Sequence, residues 1–206
     1  MENMMSEITS IEQLETIFSQ PSVRAKNKVM LQIDCHAQTL IENSSFAILS
    51  TCDHLGFTDL SPKGGSPGFI KTINSSTLLI PESSGNNRVD SLRNIINNPK
   101  VGLLFMVNGI DEVLRVKGVA SIHSCPELLS LCPDGNKPPK IVIKIEIKSL
   151  YFHCGKAAMR AKLWSDKYKA ERSILPSLAQ ILKQQQNLKE DALNQDEMIK
   201  YYKSTL

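Results

Sequence analysis

The most regular alternation of hydrophobic and polar residues lies between residues 141 and 150. Isoleucine occupies every second position from 141 to 147, a period of two that predicts a β-strand. Short apolar or alternating runs predict five further strands: 46–51, 59–63, 77–81, 101–107 and 113–122. Short connections favour antiparallel pairing, because a parallel sheet would need a helix between each pair of strands. The pattern predicts a mainly β fold, a barrel of six antiparallel strands.

Helical patterns precede, interrupt and follow these strands. Residues 7–43 have helical character. Ser10 is the predicted N-cap of a first helix, with Gln13 in the capping-box position, and Pro21 ends this helix or opens the next turn. A second helix is predicted over Cys35–Asn43, with Asp34 as its N-cap. Further helices are predicted over 90–98, 127–131, 157–164, 177–186 and 191–203. We therefore expect one domain over 1–206, built from three parts: a helical N-terminal extension (1–44), a barrel (45–155) and a helical C-terminal tail (156–206).

The predicted strand over 101–107 is apolar at almost every position, with Gly102 as the one exception. A strand that is apolar on both faces must be covered on both faces. In a small barrel one face fills the interior, and the other needs a helix or a second subunit. This strand leads us to expect a homodimer.

Composition and charge exclude several kinds of partner. The net charge is +3 and aromatic residues make up 5% of the chain, which argues against a nucleic-acid surface. No apolar run approaches the length of about 20 residues that a membrane span needs. The N-terminal residues are polar and acidic, so we expect no signal peptide and a cytoplasmic protein.

The five cysteines are odd in number and form no CxxC pair, which is typical of reduced thiols. A zinc site built from His123, Cys125 and Cys132 is the alternative. The six-residue gap between these two cysteines is not a familiar ligand spacing, so we expect no metal.

Residues 83–105 combine a polar loop, an arginine, a helix start and an apolar strand. Asn87 is the predicted helix cap, which places Arg88 at the first helical position and Asp90 at the third. Free N–H groups and a guanidinium at a helix start can hold a phosphate dianion. Asp90 opposes this, because its carboxylate competes for the same positive pole. An ordinary capped surface helix with no ligand is the alternative, because it has the same sequence pattern. If a phosphate binds here, Asn86 and Ser91 could also contact it.

The segment SPKGG at residues 61–65 is a second candidate. On an extended strand Ser61 and Lys63 point the same way, so they can present a hydroxyl and an ammonium to one ligand. Gly64 and Gly65 would let a flat ring approach the backbone closely. A polar strand end followed by a turn is the alternative.

Three more cations are candidates. Arg115, on the polar face of its strand, can stabilise negative charge on a ring carbonyl, although a solvated arginine beside Lys117 is the alternative. Lys156 and Arg160 are four residues apart and share a helix face. Two neighbouring cations repel each other, so a shared anion would explain the pair. A solvated basic helix face is the alternative.

Five segments, in order, resemble the motifs of the pyridoxamine-phosphate-oxidase-related, FMN-binding split-barrel flavoproteins: SPKGG, GNNRVDSLRNIINNP, VGLLF, LRVKG and FHCGKAAMRAKLW. The resemblance covers about residues 36–180. It implies a six-stranded split β-barrel, a homodimer and FMN at the dimer interface. The C-terminal Arg-Leu-His type signature of true pyridoxamine-phosphate oxidases is missing, so vitamin B6 is not the expected substrate.

The resemblance also assigns roles to the candidate residues. Ser61 and Lys63 would line the flavin, and Asn87 and Arg88, with Ser91 nearby, would hold its phosphate. Arg115 would edge the isoalloxazine ring. Lys156 and Arg160 would come from the partner subunit or line the substrate side.

We therefore expect an FMN-dependent oxidoreductase acting on an unknown small molecule. No general acid or base stands out, and NAD(P)H would dock transiently as a reductant because no GxGxxG fingerprint follows a strand. Three alternatives stay open: a non-catalytic flavin sensor or store, a structural dimer, and a split barrel that binds haem. For haem, the possible axial ligands are His36, His54, His123 and His153.

Overall fold

The structure is a computed structural model that describes residues 7–83, 87–133 and 139–205. Seven strands form one antiparallel sheet in the spatial order β2-β1-β5-β6-β7-β4-β3. Their bounds are β1 (Phe46–Cys52), β2 (Thr58–Gly64), β3 (Lys71–Asn74), β4 (Thr77–Glu82), β5 (Lys100–Met106), β6 (Val113–His123) and β7 (Ile141–His153). The mainly β, antiparallel character predicted from the sequence is confirmed.

The seventh strand, β3, was not among the six predicted. It has only four residues, with the polar sequence KTIN, and therefore lacks the apolar alternation that reveals the other strands. It pairs with β4 through an irregular register between Thr72 and Asn74. Its position is set by the neighbouring strand and not by its own pattern.

Helices lie before, between and after the strands. Their bounds are α1 (Ile11–Ile17), α2 (Val23–Lys26), α3 (Cys35–Asn43), α4 (Asp90–Asn97), α5 (Pro126–Ser130), α6 (Lys156–Ala161), α7 (Leu178–Gln186) and α8 (Gln195–Thr205). Ser10 and Asp34 cap α1 and α3 as predicted. The second predicted helix, Cys35–Asn43, has the bounds of α3. The helical character expected over 7–43 is interrupted at residues 27–34, where Met30 pairs with Leu150 of β7.

The sheet curls around its main hydrophobic core, and a smaller buried cluster forms around Cys132. Ala47 and Leu49 of β1 share one buried cluster with Leu78 and Ile80 of β4, although three strands separate β1 from β4 in the sheet. Lys63 of the edge strand β2 forms an ion pair with Glu82 of β4, the strand next to the opposite edge, so side chains also join the two sides of the curled sheet. We call the gap between β2 and β4, where no backbone ladder forms, the seam.

The outer face of β5 is partly covered. Its inward residues, including Phe105, are buried, and Leu104 and Met106 on the other face are half-buried. Helix α6 contributes Ala157 and Ala158 to an outer cavity of about 470 Å³ on this face. A helix therefore covers part of the second face of this strand, and the homodimer expected from it stays a prediction.

Within the described ranges, no helix has both the length and the apolar character needed to cross a membrane.

Candidate functional site

A cleft of about 390 Å³ opens at the seam. Its walls are β2, the C-terminal end of β4, the start of β7 and the first turn of α4. Five of the residues proposed from the sequence line it: Ser61, Lys63, Asn87, Arg88 and Ser91. The structure therefore brings together residues 61–63 and 87–91, which are more than twenty residues apart in the chain.

Strand β2 supplies one wall through its period of two. Asp59, Ser61 and Lys63 alternate with more exposed residues, and all three are half-buried on the cleft side. Leu60, between them, is 66% exposed. The prediction that Ser61 and Lys63 share one face holds, and the same face also carries a carboxylate, Asp59.

Lys63 does not present an uncompensated charge to the cleft. Its ammonium forms an ion pair with the carboxylate of Glu82, and the side chain of Lys63 is only 12% exposed. A half-buried pair of this kind is costly to break, because separation leaves a charge in a poorly solvated place. Lys63 can therefore contact a ligand only while its ammonium stays paired with the carboxylate of Glu82.

The start of α4 differs from the prediction. Val89, not Asn87, occupies the N-cap position, and no side chain caps the helix. Asn87 and Val89 both have left-handed backbone, with φ of 59° and 52°. Because the backbone is left-handed at these two residues, the helix begins only at Asp90. The prediction that Arg88 occupies the first helical position is therefore wrong. A β-branched residue at positive φ is uncommon and marks a local strain.

Arg88 and Asp90 form an exposed ion pair. Arg88 Nε donates to Asp90 Oδ2 at 2.8 Å, and the two side chains are 74% and 45% exposed. Exposed pairs contribute about 0–1 kcal/mol, so this one is easily exchanged for another anion. Asn86, the other predicted helper, lies outside the described residues.

Buried polar contacts fix α4 against the barrel. Asn94 Nδ2 donates to Thr51 Oγ1 of β1 at 3.0 Å, and both residues are buried. Ser91, one turn before Asn94, is also buried. This contact holds the first turn of α4 at the cleft wall.

The two glycines of SPKGG differ in what surrounds them. A Cβ at Gly65 would lie 2.7 Å from Cβ of Phe69, so a side chain at this position would clash with Phe69. At Gly64 a Cβ would have the Ser45 carbonyl oxygen at 3.7 Å, which is ordinary contact. Both glycines are exposed, and the approach of a flat ring to them stays a prediction.

The other three predicted cations lie away from the cleft. Arg115 is on the outer face of β6, with its guanidinium 5.1 Å from the centre of the Tyr151 ring, and it lines the outer cavity. Lys156 and Arg160 are exposed on α6 and line neither the cleft nor the outer cavity. Within one protomer these three residues do not join Ser61 and Lys63.

Sequence reasoning missed three charged residues of the cleft: Asp59, Glu82 and Lys140. Glu82 and Lys140 are brought together by the antiparallel pairing of Glu82 with Ile141. Asp59 could have been found from the same alternation that pairs Ser61 with Lys63. Only the register of β4 against β7, which no local pattern reveals, would have brought Glu82 and Lys140 together.

The zinc alternative finds no support in the geometry. Cys132 is fully buried against Leu79 and Val142, whereas Cys125 is exposed. Burial raises the pKa of the Cys132 thiol to about 11, with the nearby charge of Lys71 acting in the opposite direction. Among the described residues, no three or more histidines, cysteines or carboxylates group as a metal would require.

A curled antiparallel sheet with a charged cleft at its open seam defines the class of split-barrel proteins. Residues 33–154, more than half of the chain, match the family model for pyridoxamine 5'-phosphate oxidase. The protein therefore belongs to the pyridoxamine 5'-phosphate oxidase family, as the order of its motifs indicated.

Solved structures resemble the chain at low identity. A variant of HupZ from Group A Streptococcus is 20% identical, with 60% of this chain and 100% of that chain covered and a TM-score of 0.50. The General Stress Protein 26 from Bacillus anthracis is 19% identical, with 56% and 88% covered and a TM-score of 0.40. The FAD binding protein from Mycobacterium smegmatis is 12% identical, with 60% and 97% covered and a TM-score of 0.43. The likeness to HupZ shows the fold alone. No curated protein matches the sequence.

Proposed function

We propose that the protein is an FMN-dependent oxidoreductase acting on a small molecule, with the phosphate end of FMN at the seam cleft. The observation that carries the proposal is the convergence of Ser61, Lys63, Arg88 and the first turn of α4 on one cleft. Membership of the pyridoxamine 5'-phosphate oxidase family supports it.

The donors in the cleft fit a flavin phosphate. Arg88 can offer charge-assisted hydrogen bonds, and the first N–H groups of α4 have no partner within the helix. The Ser91 hydroxyl lies on the same turn. Because Asn94 ties this turn to β1, the donors are held in place before a ligand arrives, which lowers the entropic cost of binding.

When bound, FMN would supply the electron-transfer chemistry, and the protein would supply binding, orientation and electrostatics. Lys63 would supply an ammonium for negative charge on a flavin ring, and its pairing with Glu82 fixes its position. Ser61, two residues earlier on the same face, can donate or accept a hydrogen bond.

We further propose that the protein acts as a homodimer through the outer face of β5 and β6. Leu104 and Met106 leave apolar surface on this face beside the outer cavity. A second copy would remove that surface from water, at about 25 cal/mol per Å² of apolar area before association costs. Dimerisation would let the partner subunit's Arg115 or Lys156 complete a ring or substrate site that one protomer leaves open. Sedimentation velocity tests this part: a monomer at micromolar concentration would rule it out.

The phosphate assignment is tested with Arg88→Ala. Losing a hydrogen bond to a charged group costs about 1.5–3 kcal/mol, so the Kd for FMN should rise about 10- to 150-fold. The affinity for riboflavin, which has no phosphate, should change little. Flavin fluorescence titration measures both affinities.

Arg93→Ala is the matched control for this test. Arg93 is exposed on the same helix and lines a neighbouring groove, not the seam cleft, so the two variants change the net charge equally. An Arg88→Ala protein that holds FMN as tightly as the Arg93→Ala protein would contradict the phosphate assignment. Multiple turnovers of the FMN-loaded protein with NAD(P)H then separate an oxidoreductase from a non-catalytic flavin sensor or store.

A haem-binding split barrel is the second candidate. His153 lines the outer cavity, and within the described residues its buried Nδ1 has no hydrogen-bond partner. The other three histidines do not line this cavity. A haemin titration tests this candidate. A shift of the Soret band that His153→Ala removes would favour haem binding. If the Soret band does not shift, flavin remains the proposed ligand.

A further inference from the structure

Both predicted cations of the seam cleft are paired with carboxylates of the same chain. Lys63 pairs with Glu82 across the seam, and Arg88 pairs with Asp90 two residues along the chain. Without a ligand, these charges therefore largely compensate each other inside the cleft. An anionic ligand must compete with carboxylates that are already there.

The two pairs differ in how easily they yield. The side chains of Lys63 and Glu82 are 12% and 31% exposed, so a charge left alone there would be poorly solvated. Arg88 and Asp90 are 74% and 45% exposed, and water can solvate either side chain after separation. Arg88 is thus the cation that a phosphate can recruit at the lower cost.

Asp90 stays beside the ligand after Arg88 has changed partner, because it is the first residue of α4. Its carboxylate then repels a phosphate dianion and offsets the positive pole of the helix. Both effects act on a phosphate group and leave an uncharged part of the ligand untouched.

We propose that Asp90 is the residue that sets phosphate selectivity in this cleft: it holds the Arg88 guanidinium and competes with the phosphate for it, so that the preference for FMN over riboflavin is weaker than the cleft could otherwise provide. This inference rests on the proposed function, since it takes the ligand to be a flavin phosphate.

Asp90→Asn tests the inference directly. The side chain keeps its size and loses its charge, so the Kd ratio of riboflavin to FMN should rise about 3- to 10-fold at low salt. Riboflavin affinity itself should stay the same. Glu146→Gln is the control, because Glu146 is exposed on β7 away from the cleft and its loss changes the net charge equally. Circular dichroism confirms that each variant is folded.

A double-mutant cycle with Arg88→Ala identifies the route by which Asp90 acts. If Asp90 acts by holding Arg88, the gain from Asp90→Asn is clearly smaller in the Arg88→Ala background, where only the direct repulsion between Asp90 and the phosphate remains to be removed. A full gain in that background would overturn the proposed competition for Arg88.

The remaining outcomes separate the two proposals. If the wild-type protein binds FMN and Asp90→Asn leaves the ratio unchanged or lowers it, the inference is wrong and the proposed function stands. If neither protein binds FMN, both fail together. If FMN binds only after Asp90→Asn, the inference is supported in its strongest form.

Discussion

Gly118→Ala should destabilise the barrel, whereas Gly102→Ala in the neighbouring strand should not. A Cβ on Gly118 would lie 2.5 Å from Cγ2 of Ile145 and 2.7 Å from the Glu146 carbonyl oxygen. Gly118 stands where the register between β6 and β7 shifts, so the two backbones approach unusually closely there. At Gly102 the nearest atoms, in Ser50 and Val116, are 3.7 and 3.9 Å away, which is ordinary contact.

The magnitudes follow from two opposing effects. Overpacking a close-packed interior costs about 1–3 kcal/mol, and here one obstacle is a backbone oxygen that cannot rotate away. Replacing glycine with alanine also restricts the unfolded chain, which stabilises by about 0.4–1 kcal/mol where the native backbone permits it. We expect Gly118→Ala to lower the free energy of unfolding by about 1–3 kcal/mol and Gly102→Ala to raise it by up to about 1 kcal/mol.

Urea unfolding followed by far-UV circular dichroism measures both variants. The one tryptophan, Trp164, donates from Nε1 to the Ile110 carbonyl oxygen between β5 and β6 at 3.1 Å, so its fluorescence gives a second probe of unfolding. At this chain length a change of 1 kcal/mol shifts Tm by about 2–4 °C, so thermal scans should separate the two proteins clearly. Equal stabilities for the two variants would refute the close approach of β6 and β7 at Gly118.

Two further predictions concern Cys132. At pH 8 iodoacetamide should modify the exposed Cys35, Cys125 and Cys154 in the folded protein and spare Cys132. Cys132 is fully buried, and its pKa of about 11 leaves about 100-fold less thiolate than the ordinary value of 9.0. Mass spectrometry of the peptides measures the labelling, and early labelling of Cys132 would contradict the prediction. The raised pKa means that the folded state holds the thiol proton more tightly, so its contribution to stability is complete below about pH 9 and is lost as the pH rises to about 11. Urea unfolding of wild type and Cys132→Ala at pH 8, 9.5 and 11 should therefore show the stability difference between them shrinking with pH by up to about 2–3 kcal/mol, and a constant difference would exclude the effect.

Most of the strands could be predicted from sequence because the burial of their side chains alternates with a period of two. The isoleucines of β7 are buried at positions 143, 145 and 147 as the alternation requires. Ser61 and Lys63 fall on one face for the same reason. Strand β3 could not be predicted in this way, since KTIN has no apolar alternation and is held by its pairing with β4.

The start of α4 could not be predicted, because capping rules select a polar residue next to the helix. Asn87 satisfies those rules, yet the chain turns through left-handed conformations at both Asn87 and Val89 before the helix begins. Left-handed backbone is disfavoured for valine, so no propensity would place it there. Arg88 reaches the cleft, although the reasoning that put it at the first helical position was wrong.

The long-range partners of the site were also beyond sequence reasoning. Glu82 closes on Lys63 only because the sheet curls until β4 faces β2. The register of β4 against β7 then decides that Lys140 lies beside them. None of these relations has a local signature in the chain.

The seam explains why the charged cleft lies where it does. Strands β2 and β4 do not pair, so the backbone hydrogen bonds of a closed barrel are replaced at this point by an ion pair between side chains. The replacement leaves a gap beside the hydrophobic core, and the first turn of α4 is tied over it by the contact of Asn94 with Thr51. Because the same ion pair both joins β2 to β4 and lines the cleft, a ligand that draws Lys63 away from Glu82 would weaken the closure of the barrel. A ligand that recruits Arg88 instead leaves that closure intact, which makes the α4 side of the cleft the better place for a phosphate.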